Sequence, residues 1–261
     1  MTVAAPPDVL DVDGVRAHVV GTGGPVTVFA HGLGGSAAET RPLAARVPGT
    51  RVLLEFRGHG SSAALDDGWT YDGLAGDLLA VADATGATQA VGLSLGAGAL
   101  LRLLSARPDR FDRLALVLPA ALDATRADGA TLRLQQLGAA IDRADVEAVT
   151  DLLVAEVPEQ VRDRRGTRLL LARRAAQLVE RPSPQPRYDD RPVADRGVLS
   201  RVHAPALVVA QAADPLHRFD VARDITEALP RAALLELPAG GAFWTDARRL
   251  QAALAHHLGA A

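Results

Sequence analysis

The chain contains no cysteine. That excludes a disulfide framework, a thiolate metal site and a cysteine nucleophile, and it is compatible with any compartment. Lysine and asparagine are also absent, so all 28 basic residues are arginine. Alongside the abundance of alanine, leucine and glycine, this reads as a high-GC coding bias and not as a binding surface. There is no excess of either charge. A net charge of −3 and a pI near 6.2 give no electrostatic case for nucleic acid or an anionic membrane as partner. The longest apolar runs are too short to span a bilayer. The first ten residues lack a basic region followed by an apolar run, so no signal peptide is expected and a cytoplasmic location is the default.

At 261 residues the chain is long enough for one large core. Short apolar runs recur along it. Val9–Asp13 and Val15–Val20 alternate as two strands would around a turn at Asp13-Gly14. Val26–Ala30, Val52–Phe56, Leu114–Leu118, Leu207–Ala210 and Leu234–Leu237 are continuous enough for strands buried on both faces. Tyr71–Ala84 carries Leu74, Leu78, Leu79 and Val81 at helical spacing, and Val221–Leu229 and Thr245–Leu258 read as helices after the last two strands. Strands alternating with helices predict an α/β fold with a mostly parallel, doubly wound sheet, opened by an antiparallel hairpin. Between Pro119 and Val202 the alternation stops. Ala121–Leu137, Val146–Ala155 and Gln160–Glu180 read as helices without intervening strands, followed by a proline-rich connector at Arg181–Arg187. This predicts a helical cap over 120–202, inserted into a core of 1–119 and 203–261. Its leucine and alanine content predicts an aliphatic pocket of modest size.

The motif with most chemistry in it is Gly92-Leu93-Ser94-Leu95-Gly96. A strand ends at Thr88–Val91 before it, and a helix at Ala97–Ala106 follows. In that context Gly-x-Ser-x-Gly is a nucleophile elbow: the glycines allow a sharp turn, and Ser94 Oγ stands above the sheet. Acyl transfer at a serine also needs a base, a group that orients the base, and donors for the developing oxyanion. His31-Gly32-Leu33-Gly34-Gly35-Ser36 follows the Val26–Ala30 strand and offers the donors. The backbone N–H groups of Leu33 and Leu95 are the expected pair, with His31 bracing the loop. Gly32, Gly34 and Ala37, with Glu55 roughly 20 residues on, also outline a dinucleotide fingerprint; the preceding His31, the following Pro42 and the elbow disfavour it. For the orienting acid, Asp214 follows Leu207–Ala210 at the rim where open α/β sheets place ligands, with Asp123 as the runner-up.

These residues together resemble the α/β-hydrolase family over nearly the whole chain. The resemblance rests on the His-Gly loop at 31–36, the turn Phe56–Ser62, the elbow, Asp214, and the order Ser before Asp. It implies a structural role for Arg57 and His59. It also implies hydrolysis of a carboxylic ester, lactone or related acyl compound, with a small-molecule substrate and no metal or organic cofactor. The family places its catalytic histidine in a glycine-containing turn after the last strand. Here that turn reads Leu237-Pro238-Ala239-Gly240-Gly241-Ala242, and Ala242 stands where histidine is expected. Of the seven histidines, His217 is the alternative base, three residues beyond Asp214, although a solvated or capping role is the plainer reading for it. Two explanations for Ala242 stay open. One is an inactivated hydrolase. The other is a natural member with a degenerate triad that binds a small molecule or acts on it without hydrolysis.

Overall fold

A computed structural model describes residues 8–65, 68–125, 129–184 and 189–259. Three stretches discussed above fall partly outside them: the first seven residues, 126–128 of the first expected helix between Pro119 and Val202, and 185–187 of the proline-rich connector.

Eight strands form one sheet in the order β1-β2-β4-β3-β5-β6-β7-β8. They are β1 Val9–Val12, β2 Val15–Val20, β3 Val26–Ala30, β4 Thr50–Glu55, β5 Gln89–Leu93, β6 Arg113–Val117, β7 Ala206–Gln211 and β8 Ala232–Leu237. The β1–β2 and β2–β4 pairs are antiparallel; every other pair is parallel. Parallel strands buried on both faces favour apolar residues on both, which is why β3, β6 and β7 read as nearly continuous runs. The chain reverses its winding at β3, which has β4 on one side and β5 on the other. Crevices at such reversals, beyond the carboxyl ends of the strands, are where this architecture binds ligands. The Ala30↔Gly92 register puts the loop after β3 beside the turn after β5.

Helices cover both faces. On one, α2 (Tyr71–Thr85) and α3 (Leu95–Ala106) bury Leu74, Leu78, Leu100 and Leu104 in a core that includes Phe56 and Val208. On the other, α1 (Ala37–Ala44) and α9 (Ala247–Gly259) bury Leu43, Leu250, Leu254 and Leu258 against Phe29 and Val117. Each such leucine contributes roughly 2–3 kcal/mol by leaving water. The α8 helix (Phe219–Ala228) packs Ala222 and Ile225 beside β7 and β8.

Between β6 and β7 lie α4 (Gly129–Asp142), α5 (Val146–Glu156), α6 (Glu159–Arg162) and α7 (Arg165–Glu180). Ala140, Val149, Ala175 and Leu178 make a small core of their own there. The single helix read over Gln160–Glu180 is two helices, because Asp163 and Arg164 leave the helical path between α6 and α7. A 3₁₀ turn at Arg196–Arg201, which has no periodic apolar pattern to announce it, leads into β7. Among the described residues no helix is long and apolar enough to cross a membrane.

Candidate active site

Ser94 sits between β5 and α3 with φ 49° and ψ −106°. A non-glycine residue there stores roughly 1–3 kcal/mol of backbone strain. Local bonds hold it: Ser94 N–H donates to Val117 O at 2.9 Å, and Ser94 O accepts from the amides of Ala97 and Gly98. The flanking glycines are sterically required. A Cβ on Gly92 would come within 2.5 Å of Gly96 O, and one on Gly96 within 2.4 Å of Ala30 O. The turn can therefore tuck against β3 only as Gly-x-Ser-x-Gly.

Ser94 Oγ is 2.9 Å from His217 Nε2, and His217 Nδ1 is 3.0 Å from Asp214 Oδ2. Asp214 follows β7 and folds into a tight turn in which its Oδ1 accepts the backbone N–H of Leu216 and of His217. That turn swings the residue three places on, His217, back over the carboxylate. Both side chains are largely buried, 16% exposed for His217 and 8% for Asp214. His217 is therefore not the solvated side chain that the sequence reading favoured. Burial by itself would raise the Asp214 acid. The His217 hydrogen bond and charge, with the amides of Leu216 and His217, outweigh it and hold Asp214 below the ordinary carboxylate range. An ionised Asp214 only accepts, so the proton of a neutral His217 sits on Nδ1 and Nε2 faces the Ser94 hydroxyl as an acceptor.

Position 242 lies elsewhere in this network. Ala242 lies in a turn of π-helix at Gly241–Thr245 and is 1% exposed in the α1–α9 core. Its N–H donates to Gln211 Oε1 at 2.9 Å, and Gln211 Nε2 reaches Asp214 Oδ2 at 3.3 Å. Gln211, at the end of β7, thus ties the turn after β8 to the carboxylate. The sequence reading missed this residue; its one signal was a polar side chain closing an otherwise apolar strand.

The loop after β3 is fixed from several sides. Phe56 N–H donates to His31 Nε2 at 3.1 Å, so the neutral ring carries its proton on Nδ1, 2.7 Å from Gly32 O. Burial, then the nearby His59, push the His31 pKa down to about 3, which keeps it neutral. Gly35 N–H donates to the same carbonyl at 3.0 Å. Gly32 C=O and Leu33 N–H belong to one planar peptide and point in opposite directions, so anchoring the carbonyl also fixes the amide. Leu95 N–H opens α3, where a helix leaves its first amides without intrahelical partners. Among the described residues neither amide is engaged elsewhere.

The other candidates are occupied. Asp123 holds Arg196 through two hydrogen bonds of 2.7 and 2.9 Å. Glu55 accepts from Ala37 N–H and from Ser61, so it braces the loop and does not face a nucleotide. Arg57 pairs with the buried Asp77, and His59 is buried beside His31. Among the described residues no cluster of His, Cys, Asp and Glu could hold a metal.

Ser94, Leu33, Leu95 and His217 open into a cavity of about 360 Å³. Leu134, Leu137, Ile141, Leu153, Leu171 and Leu178 of α4, α5 and α7 supply an aliphatic wall. Three acids interrupt it, Glu39 from α1, Glu156 at the end of α5, and Asp190. Burial, reinforced by Asp214 and opposed by Arg133, raises the Glu156 pKa to about 7. The folded chain therefore holds a proton that the unfolded chain releases near 4.5, and Glu156 favours folding most below that pH. Raising the pH from 4.5 through 7 should weaken the native chain by about 2 kcal/mol more than it weakens Glu156→Gln. Urea midpoints of both proteins across that range measure the difference.

The chain matches the family model described as alpha/beta hydrolase fold over residues 25–244. It belongs to that family. The α/β-hydrolase architecture also recurs in solved structures. An esterase (EaEST) from Exiguobacterium antarcticum superposes with a TM-score of 0.72 at 19% identity, covering 97% of this chain and 98% of its own. The enol-lactonase from Burkholderia xenovorans LB400 gives 0.74 at 20% identity, covering 96% and 99%. An esterase RhEst1 from Rhodococcus sp. ECU1013 gives 0.76 at 20%, covering 97% and 98%. At these identities the likeness is one of fold. A comparison with curated proteins found no match.

Proposed function

We propose that this α/β-hydrolase is a serine hydrolase of carboxylic esters, lactones or related acyl compounds, with Ser94, His217 and Asp214 as its triad. The observation that carries the reading is the unbroken pair of hydrogen bonds from Ser94 Oγ through His217 to Asp214. In the first step His217 Nε2 takes the hydroxyl proton as Oγ attacks the acyl carbon. The negative charge that develops on the carbonyl oxygen meets Leu33 N–H and Leu95 N–H. Asp214 steadies the imidazolium. Collapse expels the alcohol, which takes its proton from His217, and water then repeats the sequence on the acyl-enzyme. No metal or organic cofactor enters these steps.

The helices α4 to α7 act in this reading as a cap that shields the acyl chain. Their aliphatic wall suits a small, neutral, aliphatic acyl group. The alternative, a binding protein with a degenerate site, drew its support from Ala242. The hydrogen bond between His217 and Ser94 favours the hydrolase reading over it. A panel of p-nitrophenyl esters from acetate to octanoate, with aliphatic lactones, tests the proposal together with labelling by a fluorophosphonate. Turnover and stoichiometric labelling that disappear in Ser94→Ala are expected. Neither turnover nor labelling by the native chain would overturn it.

A further inference from the structure

The strongest unexplained group at the cavity is Arg174. It lies on α7, half-buried, on the helix face shared with Leu171 and Leu178. Its Nη2 crosses to the loop after β3 and donates to Gly34 O. Leu178 presses on the same residue. Gly34 has φ +64°, and a Cβ there would meet Leu178 Cδ2 at 2.8 Å. On the other side of the loop, Glu39 Oε2 accepts Gly32 N–H at 2.8 Å. The loop that carries Leu33 N–H is thus held between an acid of α1 and an arginine of α7.

We propose that Arg174 is a positioning residue that couples the seating of the helices between β6 and β7 to the aim of the Leu33 amide. This deepens the hydrolase reading and rests on it. An anion clamp for the substrate is the competing role for a cavity arginine. The cavity speaks against it, because three carboxyl groups, Glu39, Glu156 and Asp190, line the same space. A bound carboxylate would lie near the Asp190 carboxyl and compete with Gly34 O for the arginine. The link to Gly34 O uses the arginine for the loop instead. Burial raises the Glu39 pKa, and Arg174 opposes that rise. Arg174 adds a hold from α7 to those that His31, Gly35 and Glu39 place on residues 32–35, so a displaced α7 leaves Ser94 and His217 in place but loosens the oxyanion donor.

Arg174→Met, Arg174→Gln and Arg174→Lys separate these roles. The first readout is kcat and KM on the preferred p-nitrophenyl ester. The second is affinity for an alkyl boronic acid, whose adduct with Ser94 places an oxygen in the oxyanion position. The third is hydrogen exchange of the amides at 32–36. For Arg174→Met, kcat and boronate affinity should fall together by roughly ten- to a hundredfold, less than outright loss of an oxyanion donor. KM should stay within about threefold, and exchange at 32–36 should rise. Arg174→Gln, which can still donate to Gly34 O, and Arg174→Lys, which keeps the charge, should each recover part of the loss. A change confined to KM, an unaltered boronate affinity, or unaltered exchange at 32–36 would overturn the proposal. If the native chain neither turns over esters nor binds the boronate, the hydrolase reading is what fails. Exchange in the Arg174 variants then still decides whether α7 orders the loop.

Discussion

His217→Ala should lower kcat on any ester that the native chain hydrolyses by roughly a millionfold, about 8 kcal/mol of transition-state stabilisation. The elbow and its amides remain in that variant, so a rate on the order of a thousandfold above water should survive. Introducing histidine at the family's usual place, Ala242→His, should restore nothing in either background. Residue 242 is 1% exposed inside the α1–α9 core, and its amide is held by Gln211. An imidazole there overfills packed space at a cost of about 1–3 kcal/mol. Ester turnover and fluorophosphonate labelling of the native chain, both single variants and the double variant measure this. A thousandfold gain in Ala242→His, with His217→Ala unaffected, would move the base to 242 and end the proposal.

The contrast between these two positions marks where the sequence was legible. Strands buried on both faces favour aliphatic residues, so β3, β6 and β7 stood out as runs, and the observed strands begin or end within two residues of them. Ser94 was legible for a steric reason: glycines at 92 and 96 are the one way to bring that turn against Ala30. Family habit pointed to 242 for the histidine, whereas the proposed base is His217. The local signal for it existed. An aspartate followed by proline favours a turn in which the carboxylate takes the amides two and three residues on, and that geometry returns the third side chain to the acid. What no local pattern conveys is that this turn meets the elbow 123 positions away, with Nε2 ending 2.9 Å from Ser94 Oγ. Arg174 was unreadable for the same kind of reason. One arginine among 28 looks like any solvated helix face until the tertiary fold lays α7 on the loop after β3.

Asp214→Asn should cost roughly 10⁴ in kcat, near 5 kcal/mol, although it changes one atom. The Asp214 Oδ1 site is surrounded by the N–H groups of Leu216 and His217, both donors. An amide nitrogen there would face two donors, so asparagine must keep its oxygen on that side and turn its NH₂ toward His217. Gln211 cannot relieve the conflict. Its Oε1 is committed to Ala242 N–H, which leaves its Nε2 as a second donor aimed at the same place. His217 Nδ1 must then accept, and its proton moves to Nε2. There it points at Ser94 Oγ and blocks the transfer that begins the reaction. Only the long hydrogen bond from Gln211 Nε2 is lost, so thermal stability should fall modestly while turnover collapses. Steady-state rates and melting curves of Asp214→Asn separate the two effects. Loss of activity in proportion to loss of fold would mean that Asp214 acts only as a structural turn residue. Full activity in a stable Asp214→Asn would show that the histidine does not need its carboxylate, and the triad would have to be drawn without it.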